Sequence, residues 1–266
     1  MLRLIVAAVL TIGTFSSQDL PAVTESHGGF GFPNVAGTEI IVLHDIPHGT
    51  ELRTAICGGR SLSVRFVRHQ AVTGARPDRE SPRQFDRLEG TVFQFLAPGA
   101  RPEDTCFVAA DGLLEDAELL RVDQFSTPAE CTRTERRRFA ALRERPIKAC
   151  WSIAAVRPQG LIGVVEYARV GRDALASLIV MSKEREISID FPAEYRGEGE
   201  DTWRAGDVGE FSPDGFRVPF IIRRSGTYFV AVDWGAEEGN SLSLYASERQ
   251  TPARQLIHDY WYRAPR

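Results

Sequence analysis

Lysine is nearly missing from this chain. Lys148 and Lys183 are the only two, and arginine carries the rest of the 32 basic side chains. Against 36 acidic residues the net charge is −4. That balance gives no electrostatic basis for holding a phosphate backbone, so nucleic acid is not an expected partner. Reactive signatures are missing as well. There is no Gly-x-Ser-x-Gly elbow, no Ser-x-x-Lys pair and no Cys-x-x-Cys. The last absence argues against a thioredoxin-like redox site or a zinc ribbon. Gly28-Gly29-Phe30-Gly31 lacks the preceding strand and following helix that a phosphate-cradling loop requires. No repeat of fixed period and no low-complexity tract is present. After residue 15 no apolar run reaches the length of a membrane helix, so no membrane span is expected.

What is present begins with a compartment signal. Arg3, the apolar run 4–15 and the small residues Thr14 and Ser16 occur in the order of a secretory signal peptide, cut after Ser16. Loss of Arg3 would leave 31 − 36 = −5 on the mature chain. The expectation is an exported protein, periplasmic or secreted. Cys57, Cys106, Cys131 and Cys150 agree with it, because an even count in an exported chain reads as disulfides. Four cysteines allow three connectivities. Nearest-neighbour pairing, Cys57 with Cys106 and Cys131 with Cys150, is preferred. The second pair carries a condition. A helix from Cys131 to Arg145 would advance about 21 Å, and five residues can return only about 17 Å. Such a bridge therefore demands a shorter helix.

With 43% hydrophobic and 26% charged residues the chain is an ordinary globular protein. The fold expected is mainly β, with antiparallel sandwich or barrel-like sheets in two halves and one surface helix near 128–145. Residues 17–126 read as an N-terminal β region, 127–147 as a helical connector and 148–266 as a C-terminal β-sandwich-like region. Residues 18–38, rich in glycine, read as an irregular arm. Gly58-Gly59-Arg60 reads as a hairpin turn between runs 52–57 and 61–72. Thr127-Pro128-Ala129-Glu130 reads as a helix-capping box, and Pro146 as the stop. Arg136, Arg137, Arg138, Arg143 and Arg145 make that helix basic, and one possible partner is the acidic loop around Glu198, Glu200, Asp201, Asp207 and Glu210. Run 174–181 is a strand or a short helix, and 255–262 an edge strand or a short helix. Period-two alternation puts Phe216, Val218, Phe220 and Ile222 on one face. The same holds for Tyr228, Val230, Val232 and Trp234, and for Leu242, Leu244 and Ala246, each strand having one buried and one wetter face.

Few residues offer chemistry. His44, Asp45 and His48 lie within five positions, with His27 upstream, and are ligand types that a divalent metal accepts. Pro47 rules against a helical His-x-x-x-His, so such a site would be built from a loop. The acidic stretches lack the spacing of a calcium loop. Cys57 precedes two glycines, but in an exported chain a disulfide is its expected fate. His258-Asp259 are neighbours in sequence, which seldom makes a dyad. Trp203, among charges and glycines, is a ligand-binding candidate if exposed and a core residue if tucked onto the sheet. The leading expectation is a non-catalytic module that binds an extracytoplasmic ligand or protein. The alternatives are a secreted hydrolase, with or without a metal, or a structural envelope component.

Overall fold

The structure, a computed structural model, describes residues 28–72, 74, 77–183, 185–197, 202–203, 211–236, 238–248 and 252–262. The expected signal peptide 1–16, His27 and the acidic loop positions 198, 200, 201, 207 and 210 lie outside the described residues. The chain is mainly β, with antiparallel sheets and few helices.

Six strands close into a barrel. They are β1 (Gly28–Pro33), β2 (Glu39–Val42), β3 (Leu52–Cys57), β4 (Arg60–Gln70), β5 (Gly90–Phe95) and β6 (Cys106–Ala110). Their order is β1-β2-β5-β4-β3-β6, and β6 pairs back to β1. The β3–β4 hairpin turns at Gly58-Gly59, where φ is +53° and +70°, a conformation glycine adopts without a Cβ penalty. The glycine-rich stretch expected to be an irregular arm supplies β1. Its glycines mark close approach, not looseness. A Cβ on Gly31 would lie 2.4 Å from the Ile41 carbonyl oxygen, and one on Gly28 would lie 2.4 Å from that of Val108. Glycine at these positions lets the neighbouring strands approach that closely.

A β-sandwich follows. One sheet holds β8 (Val122–Glu130), β9 (Ile147–Val156), β10 (Gly160–Tyr167), β11 (Asp173–Met181) and β12 (Glu186–Glu194), in the order β12-β11-β10-β9-β8. The other holds β7 (Glu118–Leu120), β14 (Ile221–Arg224), β15 (Thr227–Gly235), β16 (Gly239–Ser247) and β17 (Arg254–Tyr262), in the order β17-β16-β15-β14-β7. The short β13 (Phe216–Arg217) pairs with β15. Helix α1 (Asp111–Leu114) leads from the barrel to β7, and α2 (Arg133–Ala140) lies between β8 and β9. Run 174–181 and the 255–262 tail are therefore strands, and β17 is a sheet edge.

The helix lies inside the expected 128–145 stretch, but its cap is one motif downstream. Thr132 and Glu135 form the capping box, while Thr127 to Glu130 finish β8. β8 is the sheet's edge strand and slips register between Gln124 and Ala129, a setting that tolerates Pro128. The shorter helix meets the disulfide's condition. Cys150 now follows Ala140 by ten positions, and Cys131 and Cys150 pair with Cα atoms 5.4 Å apart. Cys57 and Cys106 pair directly across β3 and β6, Cα to Cα 4.3 Å.

The molecule stacks as barrel, six-stranded sheet, five-stranded sheet and helix. Ile40, Val42, Val64, Phe93, Phe95 and Val108 fill the barrel. Phe30, Phe32 and Phe107 on its outer wall pack against Phe220, Phe229, Leu244 and Trp261 of the six-stranded sheet. The sandwich core joins Ile153, Val164, Leu178 and Ile189 to Ile221, Val230 and Val232. Phe139 of α2 covers Val165, Tyr167 and Ile179. The six-stranded sheet is thus buried on both faces, which corrects the expectation of a wetter face on β15: Phe229 and Ala231 are as buried as Val230 and Val232. The single face expected for Phe216 to Ile222 is corrected too. The chain leaves strand geometry at 218–220, so Phe216 and Val218 enter the sandwich core while Phe220 and Ile222 face the barrel.

Candidate functional site: the mouth of the barrel

Where β2, β4 and β5 reach one end of the barrel, a cleft of about 370 Å³ opens. Leu43, His44 and Asp45 line it from the segment after β2. His69, Gln70 and Ala71 line it from the end of β4, and Glu89 and Gly90 from the start of β5. Alternation along β2 places His44 on the same side as Ile40 and Val42, above the barrel core. Thr91 fastens the floor. It is fully buried, accepts the Ile46 N–H at 3.1 Å and donates to the His44 carbonyl at 3.1 Å.

Two imidazole–carboxylate pairs frame the cleft. His69 Nδ1 lies 2.7 Å from Asp45 Oδ1. A carboxylate accepts, so Nδ1 carries the proton of this contact, and in that neutral tautomer Nε2 is an acceptor. His44 Nδ1 lies 3.6 Å from Asp259 Oδ1 on β17, whose second oxygen accepts the Phe30 N–H at 3.3 Å. This contact ties the cleft wall to the sandwich. The His44 ring lies on Gly29, where a Cβ would come within 2.6 Å of Cε1. Its Nε2 is buried with no hydrogen-bond partner among the described residues.

The arrangement lacks the order of a nucleophilic triad. In a triad the carboxylate takes one ring nitrogen and the nucleophile the other. Here Asp45 and the Thr91 hydroxyl, 3.5 Å away, both address His69 Nδ1. The Thr91 hydroxyl is also already engaged with backbone on both sides.

Of the metal-ligand set read from the sequence, His44 and Asp45 line the cleft together. His48 does not line it and sits 3.8 Å from Glu51 with most of its side chain in solvent. His27 lies outside the described residues. Among the described residues no group of three His, Cys, Asp or Glu side chains is placed to hold a metal ion. Trp203 is half-buried on the sandwich. Its indole N–H donates to the Phe191 carbonyl at 3.2 Å and its ring meets Phe211 edge-on at 5.2 Å. It belongs to an aromatic cluster with Phe211, Phe216 and Trp234. All four cysteines are consumed in the two disulfides.

Sequence reasoning missed His69, which follows twenty-four positions after Asp45 on another strand, and Asp259, which it considered only beside His258. Asp259 faces His44 across the barrel–sandwich joint, while His258 Nδ1 lies 3.1 Å from the Ser243 hydroxyl. No local spacing announces either contact, because closure of the barrel and docking of β17 create them.

No family model, no curated protein and no solved structure matches this chain. Its function is therefore read from the site itself.

Proposed function

We propose that the chain is an exported, non-catalytic binding protein that holds its ligand at the mouth of the barrel. One observation carries this. A cleft gathers Asp45, His69 and Glu89 from three separate segments of a closed barrel, and no described residue places a nucleophile in order against the imidazole. Convergent polar groups on a preformed concave surface are what small-ligand sites are made of. Two disulfides are consistent with an oxidising, extracytoplasmic location, and residues 1–16 are the proposed signal peptide.

The hydrolase reading keeps one point in its favour: His44, Asp45 and His69 share the cleft. A native mass spectrum of protein from the exported fraction, prepared without chelator, separates the two. A metal-free chain lacking residues 1–16, with both disulfides formed, is expected. A stoichiometric metal that disappears in His44→Ala and His69→Ala proteins would overturn the non-catalytic reading in favour of the hydrolase.

A further inference from the structure

We infer that the ligand at the barrel mouth is a small organic cation, a primary ammonium or guanidinium on a short apolar body. The inference rests on the proposed binding role of this cleft and adds the chemical class of the ligand.

It follows from where the donors of the wall go. Gln70 is fully engaged: its Nε2 donates to the carbonyls of Phe85 and Leu88, each at 2.7 Å, and its Oε1 accepts from Arg68 at 2.8 Å. The Thr91 hydroxyl donates to the His44 carbonyl. His69 commits its Nδ1 proton to Asp45, and the Nδ1 of His44 faces Asp259. His44 Nε2 is buried beneath the wall, so the exposed side-chain polar atoms of the described lining that remain to a ligand are the second oxygen of Asp45, the carboxylate of Glu89 and His69 Nε2. All are acceptors in the neutral-imidazole form. Among the described residues Glu89 makes no ion pair, and the Asp45 carboxylate pairs only with His69. Arg68, the nearest guanidinium along β4, is turned to Glu39 at 3.1 Å.

An acceptor-only wall selects by sign. Among the described residues an anion would meet two carboxylates and no exposed side-chain donor. A carbonyl or ether oxygen would bring further acceptors to acceptors. An ammonium or guanidinium brings several donors and a compensating charge. The rest of the wall, Leu43, Ala71 and Gly90, is apolar or bare backbone and suits a short hydrocarbon chain. The cleft, about 370 Å³ and open to solvent on one side, matches a short body.

The test titrates the full mature protein with four probes of matched length: n-butylammonium, n-butylguanidinium, butan-1-ol and butyrate. Backbone amide shifts are followed by NMR. Three proteins are compared: wild type, Ala71→Trp, which fills the cleft from an exposed position, and Glu89→Gln, which removes one exposed carboxylate charge. The expected result is saturable shifts around 43–45, 69–71 and 90 with the two cations only. These should be abolished in Ala71→Trp and weakened roughly three- to five-fold in Glu89→Gln, as suits one partly screened charge. Saturable, Ala71→Trp-sensitive binding of the alcohol or butyrate, with none of the cations, overturns the ligand class while leaving the cleft as a binding site. Cation binding that survives in Ala71→Trp overturns the placement at this cleft. Shifts from none of the four probes overturn the class, and the cleft itself is then judged by the broader panel described below.

Discussion

Tyr167 carries a buried hydroxyl that makes no well-formed hydrogen bond among the described residues, since its polar neighbour Ser177 donates its own proton to Asp190 at 2.6 Å. Such a group costs about 1–3 kcal/mol. Tyr167→Phe removes it and leaves the ring packed under α2, so urea unfolding should show a gain of about 1 kcal/mol. Burial also pushes the Tyr167 phenol up, with the Arg143 guanidinium opposing, and it does the same to Tyr245. A raised phenol contributes stability that is fully present below the unfolded value near 10 and is lost as pH rises through the folded value. Melting temperature should therefore hold to about pH 10 and fall above it. That alkaline fall should be smaller in Tyr167→Phe. Asp123 shows the opposite sign. Arg157, then Arg121, hold its carboxyl below the ordinary value. Its contribution is present at neutral pH and fades below about pH 4, once the carboxyl takes its proton.

At the scale of elements, the helix offers the clearest contrast between pattern and placement. Two Thr-x-x-Glu motifs stand five residues apart, Thr127 to Glu130 and Thr132 to Glu135. Proline after Thr127 favours the first on local grounds. The structure uses the second, because Ala129 and Glu130 pair with Ser152 and Trp151 and extend the sheet. The Cys131 N–H continues that ladder to the Cys150 carbonyl at 3.0 Å. The Thr132 hydroxyl then accepts the Glu135 N–H, and the Glu135 carboxylate accepts the Thr132 N–H at 2.7 Å. Thr132→Ala should cost about 1 kcal/mol in chemical denaturation, and Thr127→Ala, exposed on an edge strand, well under half of that. Equal costs would contradict the assignment. Two arginines of this segment find their carboxylates on β12. Arg138 meets Glu186 at 2.7 Å, and Arg143, just past the helix, meets Asp190 at 2.8 Å, so β12 supplies carboxylates to this face.

Strand identity was legible wherever alternation or a turn signal was strong. The Gly58-Gly59 hairpin, the Leu242, Leu244 and Ala246 face and the Ile187, Ile189 and Phe191 face read directly from the chain. β1 did not, because its glycines signal loop locally and narrow packing only globally. Burial of both faces of β15 was hidden for a related reason: Phe229 and Ala231 look like any alternating partner until a barrel is laid against them. Half of the cleft was visible, in His44 and Asp45. The other half, His69 and Glu89, and the Asp259 contact to His44, are products of topology.

At the scale of the whole molecule, barrel and sandwich are joined by apolar packing, by the Asp259 contacts and by a buried polar clasp. Asp233 on β15 is 1% exposed, accepts the Thr105 hydroxyl at 2.8 Å from the entry to β6 and accepts the Asn240 amide at 2.5 Å. Removing the carboxylate strands both donors. Asp233→Ala should lower stability by roughly 2–4 kcal/mol in denaturant unfolding. An effect below about 0.5 kcal/mol would mean that the clasp does not hold the two units together.

The barrel mouth as a ligand site is tested most directly by thermal unfolding of wild type and Ala71→Trp against a panel of amines, amino acids, sugars and carboxylates. A ligand at 100 times its Kd adds about 2.7 kcal/mol to the native state. For a chain of this size that is roughly 5–10 °C. A dose-dependent rise of that order with at least one compound class, present in wild type and absent in Ala71→Trp, is the predicted result. Identical profiles for the two proteins across the panel would contradict a binding role for the cleft.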